Sequence, residues 1–267
     1  MKEKIAIFVL LASFSLLPSF EAKADIESAL RQAQGGEQSR TASVLFKKGN
    51  QSYEEGKFDQ SIQEYEKILV LGINNFKVFY NLGNAYFRQN QLGKAILNYR
   101  RALVLQPRDE DIQANLSFVK LFTLDKIEEQ KINPMSNMLH WFLNLWSVDE
   151  FALFASFFYT LSAVLGILML FKGTKRYLKI GFVTFLILMV IFGSSLFAKI
   201  YFESVDYGVV VDPQVEVRSG PGKDFILQFT GHEGLEFRVD GEAEGWYRVS
   251  LLNGIKGWIP QEAVEII

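Results

Sequence analysis

The chain has 267 residues, of which 49 % are hydrophobic, and its formal net charge is −2. A charge so close to zero gives no electrostatic reason to expect binding to nucleic acid. The chain contains no cysteine. This excludes disulfides, thiol catalysis, cysteine-ligated metals and a lipid anchor on an N-terminal cysteine.

Residues 1–24 have the pattern of a secretory signal. Two lysines precede the apolar run Ile5–Leu17, and Ala22-Lys23-Ala24 forms a small-x-small cleavage site. We therefore predict a signal peptide over residues 1–24, with an uncleaved membrane anchor as the alternative. The polar residues 25–41 that follow are predicted to form a linker or a frayed helix.

An internal repeat begins next. When Gly49 is aligned with Gly83, the register holds without a gap for 34 residues, and Tyr65 then coincides with Tyr99. This period and pattern resemble the tetratricopeptide repeat (TPR). The resemblance implies an α-helical TPR domain over residues 42–123. It would consist of two repeats, over 42–75 and 76–109, and a capping helix over 110–123.

The first repeat departs from the family pattern at two positions. Ser61 stands where the family prefers a smaller residue, and Ile73 stands where it prefers proline. The second repeat, which carries Ala95 and Pro107 at these positions, is closer to the pattern.

TPR stacks bind through a concave groove lined by the first helix of each repeat. Amide side chains in such a groove suit a peptide, because they can bond to its backbone. The resemblance assigns the following groove positions: Phe46, Asn50, Tyr53, Glu54, Tyr80, Asn84, Phe87 and Arg88. The alternative is that the aromatic residues fill the stack and the asparagines satisfy local backbone groups.

Two uncharged segments dominate the middle of the chain. Residues 151–171 and 180–198 are each about long enough for a helix to cross a ~30 Å hydrocarbon core, and they predict a two-helix transmembrane hairpin. The loop 172–179 between them holds four basic residues and no acidic one. By the positive-inside rule this loop is cytoplasmic. A juxtamembrane segment, residues 124–150, precedes the hairpin.

The C-terminal part of the sequence has the pattern of β-structure rather than of helices. After a linker over 199–206, six short β-rich runs divided by turn residues predict a small all-β barrel over 207–267. Three segments within it resemble the bacterial SH3 (SH3b) domain: Val215–Gly222, Gly245–Val249 and Asn253–Ile259. Its candidate surface residues are Arg218, Trp246 and Trp258.

The order of these modules resembles that of BatE-type proteins of the Bacteroides aerotolerance (Bat) operon. The resemblance implies a non-enzymatic membrane scaffold that binds protein partners through its TPR groove. Those partners would be von Willebrand A-domain Bat proteins and a MoxR-type ATPase, in aerotolerance or envelope stress. It also implies a bacterial inner membrane location, with the TPR and SH3b domains on the periplasmic side.

Two alternatives remain open. The chain could be an adaptor tethered to peptidoglycan by its SH3b domain, recruiting cell-wall enzymes, or it could be a cell-wall hydrolase. No residues at catalytic spacing support the hydrolase, and His140 and His232 have no matching carboxylates at metal-ligand spacing. We therefore predict no enzymatic activity, no cofactor and no metal site.

Overall fold

A computed structural model describes residues 17–126 and 134–267. Residues 1–16 of the predicted signal peptide and 127–133 of the predicted juxtamembrane segment lie outside the described residues. The chain divides after Phe122 into two compact units. The first unit holds the helical repeats, and the second holds a helical hairpin and an antiparallel β-sheet. The predicted fold class is thereby confirmed.

Five helices build the described part of the first unit, residues 17–122: α1 (Leu17–Glu54), α2 (Phe58–Val70), α3 (Phe76–Arg88), α4 (Leu92–Leu105) and α5 (Glu110–Lys120). The end of α1 pairs with α2, α3 pairs with α4, and α5 packs on α4. The predicted linker over 25–41 lies within the continuous helix α1. Asp109 caps α5, since its side chain accepts a hydrogen bond from the backbone N of Ile112 at 3.1 Å.

A glycine and a tyrosine set the spacing of the two helices in each repeat. A Cβ added to Gly49 would lie 2.5 Å from Cε1 of Tyr65, and one added to Gly83 would lie 2.7 Å from Cε1 of Tyr99. Both tyrosines are almost completely buried. The glycine therefore lets the first helix rest directly on the ring carried by the second.

The structure explains both departures of the first repeat from the family pattern. Ser61 is buried and its hydroxyl donates to the carbonyl oxygen of Gly49 at 2.9 Å, which satisfies the additional polar group. At the end of α2, Gly72 has a φ of 77°. The backbone N of Gly72 donates to the carbonyl of Leu69, and that of Ile73 to the carbonyl of Ile68. This Schellman motif ends the helix without proline.

From residue 134 onward, the second unit has three helices before its sheet: α6 (Pro134–Asn144), α7 (Val148–Lys172) and α8 (Arg176–Glu203). Ser147 and Glu150 form a capping box at the start of α7. Both α7 and α8 are long and apolar enough to cross a membrane, with mean hydropathies of 2.1 and 2.4 over their candidate spans. Phenylalanine rings interlock between them, among them Phe158 with Phe185 and Phe192.

Seven strands form the sheet of the second unit: β1 (Tyr207–Val210), β2 (Gln214–Arg218), β3 (Leu227–His232), β4 (Glu236–Ala243), β5 (Trp246–Leu251), β6 (Lys256–Pro260) and β7 (Val264–Ile266). Their order is β3-β2-β6-β5-β4-β1-β7, and the paired strands are antiparallel. Each of the six predicted runs overlaps a strand, whereas β7 was not predicted. The inward-facing residues form one core that includes Val217, Phe237 and Ile259.

The edge strand β3 meets the segment that follows the repeats. The carboxylate of Asp125 accepts a hydrogen bond from the backbone N of His232 at 2.6 Å, and its other oxygen lies 3.0 Å from Nδ1 of the same residue. An N–H at a sheet edge would otherwise be open to pairing with another chain. Asp125 therefore covers one end of this edge.

The contact between Gly83 and Tyr99 predicts the effect of adding one methyl group. Gly83→Ala is expected to lower the free energy of unfolding of the repeat by about 1–3 kcal/mol, because the fixed ring must move. Gly36→Ala is the matched control, since no atom lies within 4 Å of the added Cβ, and alanine should stabilise α1 by about 0.5–1 kcal/mol. Hydrogen–deuterium exchange in the full chain measures the first effect at the amides of α3 and α4 and the second at the amides of α1. Equal protection of Gly83→Ala and wild type would contradict the packing argument.

Candidate functional site

Two adjoining cavities lie between the first helices of successive repeats, α1, α3 and α5. One, the asparagine cavity, has a volume of about 210 Å³ and is lined by Asn50, Tyr53, Glu54, Tyr65, Asn81 and Asn84. The other, the aromatic–acidic cavity, has a volume of about 270 Å³ and is lined by Phe46, Phe76, Lys77, Tyr80, Asn81, Asp109, Asp111 and Ile112. Asn81 lines both cavities, so they form one continuous groove.

A hydrogen-bond network connects the first repeat to the second. The hydroxyl of Tyr65 donates to Oδ1 of Asn50 at 2.6 Å. The Nδ2 group of Asn81 donates to the same Oδ1 at 3.0 Å and to the hydroxyl oxygen of Tyr65 at 3.3 Å. One buried tyrosine and two asparagines from different repeats therefore hold one another in place.

A similar network recurs 34 residues further on, although Asn115 donates to the hydroxyl of Tyr80, whereas Asn81 donates to that of the buried Tyr65. The hydroxyl of Tyr99 donates to Oδ1 of Asn84 at 2.6 Å. The Nδ2 group of Asn115 donates to Oδ1 of Asn84 and to the hydroxyl oxygen of Tyr80, each at 3.0 Å. Asn115 on α5 thus takes the part that Asn81 plays on α3. The predicted capping helix is in effect the first helix of an incomplete third repeat.

The tyrosines remain protonated donors at physiological pH. Burial raises the pKa of the Tyr65 hydroxyl and, more strongly, the pKa of the Tyr99 hydroxyl above the ordinary value. A protonated phenol can donate its hydrogen, and here each hydroxyl donates to the asparagine oxygen, which leaves the NH₂ group of that amide facing away.

The network leaves a regular series of amide groups without partners. Among the described residues, Nδ2 of Asn50 and Asn84 has no acceptor, and Oδ1 of Asn81 and Asn115 has no donor. None of these four atoms is among the buried polar atoms that lack a partner, so each is open to solvent. The free donors therefore lie on α1 and α3 and the free acceptors on α3 and α5, and we call these four groups the amide series.

The structure brings most of the predicted groove residues together. The predicted residues that line a cavity are Phe46, Asn50, Tyr53, Glu54, Tyr80 and Asn84. Two others lie outside both cavities. The ring of Phe87 packs against Phe118 and Phe122 with centroid distances of 5.8 and 5.6 Å, and the guanidinium of Arg88 lies 4.7 Å from the ring centroid of Phe58.

Several residues of the groove were not predicted. The sequence carried a signal for two of them, since Asn81 and Asn115 are 34 residues apart, as Asn50 and Asn84 are. Asp109 and Asp111 gave no such signal, because acidic residues at a helix start are explained by the helix dipole alone.

The candidate residues of the β-domain are placed by its strands. Arg218 pairs with Trp258 across β2 and β6, and Trp258 pairs with Arg248 across β5, so the three side chains share one face. The guanidinium of Arg218 donates to the carbonyls of Lys223 and Phe225 at 2.7 and 2.6 Å and also contacts Glu216. It thereby braces the turn before β3. Trp246, at the start of β5, is half-buried.

Comparisons with known proteins match both domains. A tetratricopeptide repeat model matches residues 76–109, a TPR repeat model matches 49–90, and a variant SH3 domain model matches 215–267. The curated proteins contain no match. Among solved structures, the first TPR of Spaghetti (RPAP3) bound to the HSP90 peptide SRMEEVD is similar at 22 % identity and a TM-score of 0.22, covering 31 % of this chain and 93 % of that chain. TPR and SH3-type domains are typical of non-enzymatic interaction modules.

The network predicts a coupling between Asn84 and Tyr99. Asn84→Ala is expected to cost about 1–3 kcal/mol, because it leaves the buried hydroxyl of Tyr99 without its acceptor. Tyr99→Phe removes that hydroxyl, so the double variant should be clearly more stable than the sum of the single effects predicts. Exchange protection of α3 to α5 in the four proteins of the cycle gives the coupling energy. Additive effects would mean that the bond does not hold the asparagine.

Proposed function

We propose that this protein is a membrane-anchored adaptor whose TPR groove binds an extended peptide segment of a protein partner. The observation that carries the proposal is the amide series. An extended backbone presents alternating C=O and N–H groups. The free NH₂ groups of Asn50 and Asn84 suit the carbonyls, and the free oxygens of Asn81 and Asn115 suit the N–H groups.

Membrane anchoring is supported by how little of the hairpin the protein itself covers. In the 18-residue apolar stretch of each helix, only 6 % of the residues in α7 and 0 % of those in α8 are buried inside the structure. Large apolar side chains lie open, for example Leu153 at 69 % and Leu170 at 84 % exposure. Water would disfavour a surface of this size and composition. A bilayer would cover it, and the helices are long enough to span one.

The orientation we propose puts both soluble domains outside the bacterial inner membrane. It is supported by the basic residues of the loop between α7 and α8, which favour the cytoplasmic side, and by the signal-like N-terminus. The TPR and SH3-type domains would then face the periplasm, where the SH3-type domain would serve as a second contact surface.

The identity of the partners is proposed from the order of the modules. That order resembles BatE-type proteins, and it supports a place beside von Willebrand A-domain Bat proteins and a MoxR-type ATPase in aerotolerance or envelope stress. A protein in that position needs a binding groove rather than a catalytic centre.

Peptide binding by the full chain, held in nanodiscs, tests the main proposal. The probe is a randomised library of acetylated and amidated hexapeptides, from which a binding sequence is selected and then N-methylated at one backbone position at a time. Methylation of an N–H that donates to Asn81 or Asn115 should weaken binding about tenfold, and the sensitive positions should alternate along the peptide. If no peptide binds, or if methylation has no effect at any position, the groove does not recognise a peptide backbone.

Protein variants give the matching half of this experiment. Asn50→Asp and Asn84→Asp keep an oxygen for the tyrosine hydroxyl but replace the free donor with an acceptor, so each should lower affinity about tenfold. Gln63→Glu makes the same chemical change on the exposed side of α2 and should leave binding unchanged. Measurement at high salt screens the added charge. Equal affinities of all three variants would contradict the assignment of these donors.

The proposed topology is tested by labelling single cysteines, since the chain has none of its own. Cysteines introduced at the exposed positions Gln63 and Thr230 should react with a membrane-impermeant maleimide once the outer envelope is permeabilised. One at the exposed Thr174, in the loop between the spans, should react only after the inner membrane is lysed. Labelling of Thr174 alone in intact spheroplasts would reverse the orientation.

A further inference from the structure

The aromatic–acidic cavity differs chemically from the asparagine cavity beside it. Its wall includes the rings of Phe46, Phe76 and Tyr80 and the carboxylates of Asp109 and Asp111. Its volume of about 270 Å³ is several times the ~30 Å³ that one water molecule occupies in the liquid. The cavity is therefore of a size for a side chain rather than for a single water.

The two carboxylates are available to a ligand. One oxygen of Asp109 accepts the capping hydrogen bond from the backbone N of Ile112. Among the described residues, its other oxygen and the carboxylate of Asp111 have no partner. Glu110 lies at the same helix end and benefits equally from the helix dipole, yet it does not line the cavity. The dipole thus explains the acidic helix start, but not the open negative charge that faces the rings.

The balance of charge across the groove favours a cation. Its two cavities are lined by three carboxylates, those of Glu54, Asp109 and Asp111, and by one ammonium group, that of Lys77. The Nζ atom of Lys77 lies 5.8 Å from the ring centroid of Phe76, which is within the range of a cation–π contact. A positive charge is therefore already accommodated against one ring of this cavity.

We propose that the aromatic–acidic cavity receives a lysine or arginine side chain of the peptide bound in the groove. This inference rests on the proposed function and adds a side-chain preference to it. The rings of Phe46 and Tyr80 cover the aliphatic part of the incoming side chain, and Asp109 and Asp111 bind its charged end. Asn81, which lines both cavities, joins this anchor to the neighbouring backbone contacts. An acidic side chain would meet the same two carboxylates and is disfavoured.

The test uses the full chain in nanodiscs of uncharged phosphatidylcholine. The probe is a set of acetylated and amidated hexapeptide pools in which one position at a time is fixed as lysine, acetyl-lysine, arginine or citrulline. Citrulline matches arginine in shape and lacks its charge. Acetyl-lysine also lacks the charge of lysine but adds an acetyl group, so the arginine–citrulline pair is the shape-matched comparison. One position should prefer the cation by about five- to tenfold in affinity, and the preference should shrink in high salt.

Variants assign this preference to the cavity. Asp109→Asn/Asp111→Asn removes both charges while asparagine preserves the helix cap, and it should reduce the preference to less than about twofold. The matched control Glu110→Gln removes a charge from the same helix end outside the cavity and should retain the preference. Lys77→Gln removes the competing cation and should strengthen it.

The outcomes separate this inference from the proposed function. If peptides bind but no position prefers a cation, or if the preference survives in Asp109→Asn/Asp111→Asn, the cavity does not bind a basic side chain although the groove still binds peptides. If no pool binds at all, the proposed function fails together with this inference.

Discussion

A buried tyrosine hydroxyl that donates to an asparagine oxygen occurs twice in the repeats, between Tyr65 and Asn50 and between Tyr99 and Asn84. Without that bond, each amide could turn over and exchange its donor for its acceptor. The phenol opposes this exchange, because burial disfavours its ionisation and the protonated hydroxyl donates to the amide oxygen. The same ring lies on the glycine of its repeat. In each repeat, the packing of the two helices and the orientation of the amide in the groove therefore depend on the same tyrosine side chain.

The parts of the fold that follow from local rules were predictable from the sequence. Gly83 and Tyr99 recur at the spacing of Gly49 and Tyr65 because the two helices of each repeat pack in the same way, with the glycine against the tyrosine ring. The hairpin helices were predictable because the thickness of a bilayer fixes the length of an uncharged span. The strand β7 was missed, since Val264–Ile266 is too short to show an alternating pattern. In the structure it pairs with β1 and extends that side of the sheet.

The candidate site was predictable only where the residue type and its position in the repeat indicate a role. The TPR resemblance predicted that Asn50 and Asn84 face the groove, and both line the asparagine cavity. The opposite orientations of the Asn50 and Asn81 amides depend on the hydroxyl of Tyr65, which lies on α2. Tyr65 is 15 residues from Asn50 and 16 residues from Asn81 in the sequence. Arg218 shows the converse. Its charge suggested a binding surface, but its donors are used by two carbonyls of the turn before β3 and by the carboxylate of Glu216. Sequence alone does not reveal which polar atoms are already satisfied.

Energetics explain why the groove needs more than its amide series. Four hydrogen bonds to a peptide backbone contribute a net total of about 4 kcal/mol, which only matches the lower end of the ~4–15 kcal/mol that association costs in lost freedom. A backbone is also the same in every peptide, so these bonds carry little sequence specificity. The side-chain anchor proposed for the aromatic–acidic cavity would add both binding free energy and sequence specificity. The proposed membrane anchoring would act in the same direction, because two proteins held in one bilayer meet at a high effective concentration. Under the proposed function, a stack of two and a half repeats would then suffice as a selective contact for a partner in the same membrane.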